Sequence, residues 1–171
     1  MKLLICSDIH GAAGVAKALV EQADALACDA IVFLGDLLYF GPRNSLPEGH
    51  NPALTAEVFN KRAERIIACR GNCEAEVDQM VLKFPISSDY ALIYDGKRRI
   101  FATHGHIYSP ECLPPLARGD MFLYGHTHIQ TLVENDEGII LCNPGSPSLP
   151  KRGSPSGYAI YDAGRLELCA L

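Results

Sequence analysis

The stretch Leu3-Leu4-Ile5-Cys6-Ser7-Asp8-Ile9-His10-Gly11 decides how the first half of this chain folds. Its four leading apolar residues are typical of a strand that is buried on both faces of a sheet. After Gly11 an apolar stripe with helical spacing predicts an amphipathic helix, and its members are Val15, Leu19, Ala23 and Leu26. The apolar run 31–34 predicts a second strand, which ends at Gly35-Asp36. Strand, helix and strand in this order form the βαβ unit of a parallel sheet, whose ligand sites lie beyond the carboxyl ends of the strands.

The same alternation continues as far as Phe84. We expect a helix over about 53–65, a strand at 66–69 that ends in Arg70-Gly71-Asn72-Cys73-Glu74, and a helix over about 76–83. The intervening segment 37–52 contains repeated Pro and Gly residues, so no regular element fits it. A long loop beside a predicted site is usually functional. His50, within this loop, is expected to be solvated.

Hairpins replace helices after Tyr90. Three pairs of strand-like runs flank turn signals, at Asp95-Gly96-Lys97, at 135–138 and at 162–164. A Pro-rich segment at 110–115, followed by a short helix, is expected before a strand at 121–124. A βαβ half joined to a hairpin-rich half predicts two mixed β-sheets packed face to face with helices outside them. The predicted fold is a four-layer αββα sandwich, and its 171 residues fit a single domain over 1–171.

Composition limits the partners. Lys and Arg total 15 against 20 Asp and Glu, a net charge of -5, so no general field attracts nucleic acid or anionic lipid. Most of the seven cysteines lie in apolar runs and none forms a CxxC pair, which favours reduced cysteines in a cytosolic protein. The first apolar run is too short for a signal peptide, and no run approaches a membrane span. We expect a cytoplasmic protein without a membrane or nucleic-acid partner.

Polar residues follow five of the predicted strands. Tyr124-Gly125-His126-Thr127-His128 carries two imidazoles directly after an apolar run, and the other residues at strand ends are Asp8, His10, Asp36, Asn72, His104 and His106. These donors are too many for one four-coordinate zinc, and the mixture of nitrogen and oxygen suits Mn, Fe or Zn. Two metals that share one bridging carboxylate would use them all. Such a pair attracts phosphate, activates a bridging water and stabilises an in-line displacement.

Each of these residues also has a plainer interpretation on its own. Asp8 and Asp36 resemble helix caps, Asn72 resembles a turn residue, and His106 is as well explained by a structural hydrogen bond. Arg43 is compatible with a phosphate contact or with a surface salt bridge. The occurrence of all the motifs together, in order and at strand ends, favours the metal site.

The residues also carry a family resemblance. In chain order, Asp8-x-His10, Gly35-Asp36, Gly71-Asn72, His104 and Gly125-His126-Thr127-His128 resemble the five motifs of the calcineurin-like metallophosphoesterases. The finer pattern is similar to that of the small bacterial YfcE-type phosphodiesterases, and the segments that carry it are 41–44, 70–73, 77–80, 103–106 and 143–146.

The resemblance implies a metallo-dependent phosphatase fold and hydrolysis of phosphodiesters by a hydroxide that bridges two metals. It places Asp8, His10 and His128 on one metal and Asn72, His104 and His126 on the other, with Asp36 between them. Asn72 would also contact substrate, and His106 would orient the phosphate or a metal ligand. The implied metal is most often Mn²⁺, with Ni²⁺, Co²⁺, Fe²⁺ or Zn²⁺ as substitutes.

One position departs from the family pattern. Many members carry His after the Gly-Asn pair, where it protonates the leaving oxygen, whereas this chain has Cys73-Glu74. A thiol is a poorer acid at neutral pH than an imidazole. We therefore expect Cys73 to favour esters with good leaving groups, such as aryl phosphodiesters.

Three other functions remain open from the sequence. A phosphomonoesterase or nucleotide phosphatase would use the same ligands, and a scaffold like the retromer subunit Vps29 would use the same fold with a weakened metal site. A DNA-processing nuclease would need a basic groove or a capping domain. Because all seven ligand positions are filled, we favour a phosphodiesterase acting on a small substrate. A homo-oligomer is compatible with the loop 37–52 and the hairpin surfaces.

Overall fold

The computed structural model describes all residues, 1–171. The chain has ten strands and three α-helices; the first three strands alternate with the helices in the first half, and the other seven strands follow without helices between them. In chain order they are β1 (Lys2–Cys6), α1 (Ala13–Ala25), β2 (Ala30–Phe33), α2 (Pro52–Asn60), β3 (Ile66–Ala68), α3 (Glu76–Val81), β4 (Tyr90–Asp95), β5 (Arg98–Thr103), β6 (Met121–Leu123), β7 (Gln130–Glu134), β8 (Ile140–Pro144), β9 (Gly157–Asp162) and β10 (Arg165–Ala170).

The strands form two mixed five-stranded sheets. In the first sheet the order is β10-β9-β1-β2-β3, with β1, β2 and β3 parallel and β9 and β10 antiparallel to their neighbours. In the second the order is β4-β5-β6-β8-β7, with β5, β6 and β8 parallel. The predicted pair of mixed sheets is confirmed, and each sheet has a parallel centre whose carboxyl ends lie at one edge.

Alternate side chains of β1 pack on opposite faces of the first sheet. Leu4 and Cys6 join a core cluster with α1 and α2, while Leu3 and Ile5 join a second cluster between the sheets. All four side chains are fully or almost fully buried. The continuous apolar run at the start of the chain therefore reflects burial on both faces, as parallel central strands require.

The outer face of the second sheet is covered by an irregular segment, whereas helices cover that of the first sheet. Its apolar cluster, which includes Phe101, Phe122 and Tyr124, packs against Tyr108, Leu113 and Leu116 of the segment 107–119. That segment contains no helix, so the prediction of a short helix before β6 is wrong. Three prolines within 110–115 remove backbone donors and leave the segment irregular, while its apolar side chains still cover the sheet.

Two predicted helices are shorter than expected. The helix predicted over 53–65 ends at Asn60, and 63–65 form a separate 3₁₀ turn. Arg62 and Arg65 both donate to the Asp24 carboxylate, so this turn is bonded to α1. The helix predicted over 76–83 ends at Val81, where the Asn60 side chain donates to the Val81 carbonyl.

No helix in the structure combines the length and apolar character that crossing a membrane demands.

Candidate metal centre

The loops that follow β1 and β2 are hydrogen-bonded to each other. The Asp8 N–H donates to the Gly35 carbonyl and the His10 N–H to the Asp36 carbonyl, each at 3.0 Å. The loops after β5 and β6 meet in the same way, because the Gly125 N–H donates to the His104 carbonyl at 2.8 Å. These contacts join loops within each sheet, and the His126 N–H donates to Asp8 Oδ2 at 2.9 Å between the two sheets, so the polar residues of both meet at one edge, as the sequence predicts.

Five of the seven predicted ligands have left-handed backbone conformations. Their φ angles lie between +51° and +68°, and the residues are Asp8, His10, Asp36, His126 and His128. Residues other than glycine rarely adopt this region, and such strain tends to concentrate at functional sites. The backbone is thus held in an unfavourable conformation at the points where the side chains must converge.

The first group of ligand atoms lies deep in the protein. Asp8 Oδ1 is 3.2 Å from His128 Nε2 and 3.6 Å from His10 Nε2, and the two imidazole nitrogens are 3.3 Å apart. All three side chains are fully or almost fully buried. The other carboxylate oxygen of Asp8 accepts the His126 N–H at 2.9 Å, which fixes the direction of the carboxylate.

A second group lies beside the first. His104 Nε2 is 3.1 Å from Asn72 Oδ1 and 3.3 Å from His126 Nδ1. His104 is buried, whereas Asn72 is exposed and His126 is half-buried. This side of the centre is therefore open to a ligand from solvent.

Asp36 lies between the two groups. Its Oδ2 atom is 3.9 Å from His10 Nε2 in the first group and 3.5 Å from His104 Nε2 in the second. Its Oδ1 atom accepts the Cys73 N–H at 2.8 Å. One oxygen is thus engaged by the backbone, while the other faces both groups of nitrogen donors.

The donor set fits divalent cations. His10, His128 and His104 each donate from Nδ1 to a backbone carbonyl, of Tyr39, Leu149 and Leu34 respectively, so that each ring in its neutral form presents the Nε2 lone pair to the centre. Facing lone pairs repel each other unless a cation or a proton lies between them. Asp8 Oδ1 is buried and has no hydrogen-bond partner in the protein, so its lone pairs are available to a cation.

The pKa values of the first group reflect this crowding. Burial alone would raise the pKa of Asp8, but the neighbouring imidazoles of His10, His104 and His128 hold it well below its usual value. Burial would likewise lower the pKa of His10, and the Asp8 carboxylate outweighs burial and raises that pKa. The carboxylate is thus ionised and attracts cations, and a proton on His10 competes with a metal for Nε2.

Glu74 supports the centre from beneath. Its carboxylate accepts the backbone N–H groups of Asp36 at 2.9 Å and Leu37 at 2.6 Å, and it also accepts that of Gly71. Burial and the negative charge of Asp36 raise the pKa of Glu74 to about 7, although the three N–H groups act in the opposite direction. The sequence places Glu74 next to Cys73 but assigns it no role.

Cys73 lies close to the two groups. Its Sγ lies within 4.8 Å of ligand atoms of His10 and Asp36 and accepts a hydrogen bond from Asn72 Nδ2 at 3.2 Å. Burial and the negative charge of Asp36 raise the pKa of the thiol. Cys73 therefore stays protonated at neutral pH.

Of the other predicted site residues, the structure places Arg43 in a cleft over the centre but leaves His106 outside that cleft. Arg43 and Asn72 line the cleft, which has a volume of about 170 Å³, together with Asp36, Asn44, His126, His128 and Lys151. His106 does not line this cleft; its ring centroid is 5.3 Å from that of His104, and its buried Nδ1 has no partner. Burial and the positive charges of His104 and His126 lower its pKa.

Several residues of the centre escape sequence analysis. Lys151 lines the cleft but belongs to no recognisable pattern, and Asn44 lines it as part of the segment 41–44, although the sequence gives Asn44 no role. The hydroxyls of Ser146 and Ser148 donate to the Asp8 carbonyl at 2.7 and 2.9 Å. The sequence points to part of this region through the segment 143–146, and Asn143 Nδ2 donates to the Gly125 carbonyl beside the centre at 2.8 Å.

His50 is not the solvated residue that its loop predicts. Its ring donates from Nδ1 to the His10 carbonyl at 2.8 Å, and its backbone forms a β-bridge with Ala12. The loop 37–52 therefore folds back onto the segment that follows β1.

Two β-sheets with histidines and carboxylates at one shared edge define a metal-dependent hydrolase of the phosphoesterase class. The chain belongs to the calcineurin-like phosphoesterase superfamily, because residues 1–165 match the model of that superfamily's domain. It is 45% identical to phosphodiesterase YfcE of Escherichia coli K12 over 171 residues, which cover 100% of this chain and 92% of that protein. The solved structure of E. coli YfcE superposes with a TM-score of 0.97 at 44% identity and covers 99% of this chain and 93% of that one.

The chain is also similar to more distant proteins. The probable metallophosphoesterase YsnB of Bacillus subtilis is 29% identical over 167 residues, which are 94% of this chain and 83% of that protein. The structure of Vps29 from Chaetomium thermophilum has a TM-score of 0.65 at 14% identity and covers 95% of this chain and 82% of that one. At that identity the likeness concerns the fold alone. Membership of the superfamily implies divalent metal ions, and the clustered Asp and His side chains are their candidate ligands.

Proposed function

We propose that this chain is a phosphodiesterase that uses two divalent cations, with Mn²⁺ as the preferred metal. The observation that carries the proposal is the position of Asp36 Oδ2, which faces His10 Nε2 and His104 Nε2 at 3.9 and 3.5 Å. An oxygen between two sets of donors suits a ligand shared by two metals. The 45% identity to a protein named phosphodiesterase supports the choice of reaction.

Seven residues would hold the metals. Asp8, His10 and His128 would form one set and Asn72, His104 and His126 the other, with Asp36 shared between them. When bound, such a pair of cations supplies a nucleophilic water at neutral pH and neutralises charge on the phosphoryl group. The mixture of imidazole, carboxylate and amide donors suits Mn²⁺ better than Ca²⁺ or Mg²⁺.

The cleft would hold the phosphodiester group. Arg43 and Lys151 bring two positive charges to its wall, and Asn44 and Asn72 bring side-chain amides. A guanidinium donates two parallel hydrogen bonds to phosphate oxygens, whereas an ammonium contributes a point charge. These residues would orient the ester, and His106, which lies behind His104, would act on the centre through that ring. Lys151 is tied to the centre, because its N–H donates to the His128 carbonyl at 3.1 Å.

Cys73 would act at the leaving oxygen. The raised pKa of its thiol means that Sγ holds its proton at neutral pH and gives it up reluctantly. The chain would therefore depend on leaving groups that need little protonation, such as nitrophenolates. The physiological substrate would be a small phosphodiester.

The test compares bis-(p-nitrophenyl) phosphate with p-nitrophenyl phosphate on metal-stripped protein that is reloaded with Mn²⁺. The proposal predicts metal-dependent turnover of the diester that exceeds turnover of the monoester. His128→Ala should abolish this turnover, and Asp136→Ala, which changes an exposed aspartate in the β7–β8 turn, should not. Faster turnover of the monoester would favour a phosphomonoesterase, and no turnover of either with metal bound would favour a scaffold.

A further inference from the structure

A large apolar groove lies next to the metal centre. It has a volume of about 880 Å³ and runs between α2 and α3, with walls formed mainly by Leu38, Tyr39, Pro52, Ala53, Val77 and Val81. Cavities of this size and apolar character are typical of sites for small organic ligands. None of the seven candidate metal ligands lines this groove, so the metal centre does not account for it.

The groove is continuous with the cleft over the metal centre. A cavity of about 420 Å³ connects the two; it shares Arg43, Asn44 and Asn72 with the cleft. The same connecting cavity shares Tyr39, Cys73 and Ala75 with the groove. A molecule whose phosphate lies in the cleft can therefore extend past Cys73 into the groove.

Tyr39 belongs to both regions. Its carbonyl accepts the hydrogen bond from His10 Nδ1 at 2.8 Å, while its side chain lines the groove and is 47% exposed. An aromatic ring in this position offers a surface on which a planar group can stack. The backbone of Tyr39 thus fixes a metal ligand, and its ring faces the path that leads away from the centre.

The charges along the groove compensate each other. Glu57 and Lys61 form an ion pair at 2.9 Å, and Asp78 accepts the Ala75 N–H at 3.0 Å at the start of α3. Lys83 also lines the groove, so the charges of these four side chains sum to zero. The groove therefore attracts an uncharged apolar group rather than a second phosphate or a carboxylate.

We infer that the groove is a substrate subsite for a bulky apolar group esterified to the phosphate, such as an aryl or long alkyl group. The inference rests on the proposed function, because the metal centre must hold the phosphate. A second copy of this chain could cover the same apolar walls, but continuity with the cleft through Cys73 and Tyr39 favours the substrate.

The test measures binding of two phosphonates, which are not cleaved, to Mn²⁺-loaded protein by titration calorimetry. The subsite predicts that 2-naphthylmethylphosphonate binds at least about tenfold more tightly than methylphosphonate, since the ring is buried in the groove. Ala53→Phe fills the groove from α2 and should bring this ratio close to one. Ala25→Phe, at an exposed position of α1 that does not line the groove, should preserve the ratio.

A second groove variant keeps the test valid if Ala53→Phe fails to fold. Val77→Asp places a charge at a position that is 56% exposed, so the fold should tolerate it, and it should lower the ratio as well. Equal binding of the two phosphonates, or no binding of either, would overturn the subsite. A change in oligomeric state in both groove variants, with the ratio retained, would assign the groove to a contact between subunits. Hydrolysis of bis-(p-nitrophenyl) phosphate on the same sample tests the proposed function separately, since phosphonate binding requires no turnover.

Discussion

The carboxylate of Glu74 accepts a hydrogen bond of 2.9 Å from the backbone N–H of Asp36, the residue whose side chain faces both groups of histidines. Two further backbone N–H groups, from Leu37 and Gly71, bond to the same carboxylate. One side chain therefore connects the loop after β2 with the loop after β3. Glu74 thus helps to fix the backbone of Asp36 in place.

Glu74→Ala should weaken the centre without removing a ligand. Three backbone donors lose their acceptor at about 1 kcal/mol each, so the free energy of unfolding should fall by roughly 3 kcal/mol. Loss of a supporting hydrogen bond commonly lowers metal affinity by about 10- to 100-fold. Chemical denaturation and Mn²⁺ titration measure both effects. Glu76→Gln, at an exposed position in the first turn of α3, is the control, and wild-type affinity in Glu74→Ala would contradict the supporting role.

Metal binding should release protons. Burial would lower the pKa of His10, but the Asp8 carboxylate outweighs burial and raises it. Burial and the negative charge of Asp36 raise the pKa of Glu74 to about 7. A cation displaces the proton from His10 and cancels the charge that keeps Glu74 protonated. Affinity for Mn²⁺ should therefore rise as pH increases from about 6 to about 8.

Calorimetry in buffers of different ionisation enthalpy counts the released protons directly. Glu74→Gln cannot ionise and should release fewer protons per metal than the wild type. Affinity that stays constant across this pH interval would show that neither group is protonated in the metal-free protein.

Cys73→His should accelerate the hydrolysis of esters with poor leaving groups. The Cys73 thiol has a pKa raised by burial and by Asp36, whereas an imidazole transfers a proton readily near pH 7. We expect roughly a tenfold or larger gain with phenyl esters and little change with p-nitrophenyl esters, which need little protonation. Steady-state rates across a series of leaving groups give the comparison. The exposed Cys112→His is the control, and equal rates in Cys73→His and wild type for every ester would remove Cys73 from the mechanism.

Gly125→Ala should disrupt the centre through a steric contact. A Cβ at this position would lie 1.9 Å from Ser7 Oγ and 2.7 Å from Asp8 Oδ2, so Asp8 has to move. We expect a loss of roughly 1–3 kcal/mol in the free energy of unfolding and a loss of metal affinity. Gly14→Ala is the matched control, because a Cβ there meets nothing within 4 Å and helix α1 should gain about 0.5–1 kcal/mol. Thermal denaturation with and without Mn²⁺ distinguishes the two.

The periodicity of the chain predicts the sheets and the edge at which the ligands meet. Continuous apolar runs such as 3–6 identify buried parallel strands, and the polar residue after each run then lies at the carboxyl edge. Residues such as Asp8 and His128 can therefore be identified as candidate metal ligands from the sequence, because they come directly after such strands. The segment 107–119 lacks a period, because its prolines prevent a helix while its apolar side chains still pack on the second sheet.

Other features of the centre depend on contacts between residues that are distant in sequence. Lys151 reaches the cleft through its backbone bond to His128, and Glu74 binds N–H groups that no side-chain pattern reveals. The left-handed conformations of Asp8, His10 and Asp36 are uncommon for residues other than glycine, and no pattern in the sequence predicts them. The sequence predicts that His50 in the long loop 37–52 is solvated, whereas its ring donates to the His10 carbonyl.

The most direct test of the two-metal centre follows Mn²⁺ binding and diester hydrolysis in one titration of metal-stripped protein, for wild type and Asp36→Asn. We predict two Mn²⁺ ions per wild-type chain, with hydrolysis of bis-(p-nitrophenyl) phosphate increasing until both are bound. Asp36→Asn should lose one ion and at least about a hundredfold of the rate, because the shared oxygen loses its charge. Full activity with one ion, or undiminished activity in Asp36→Asn, would contradict the account.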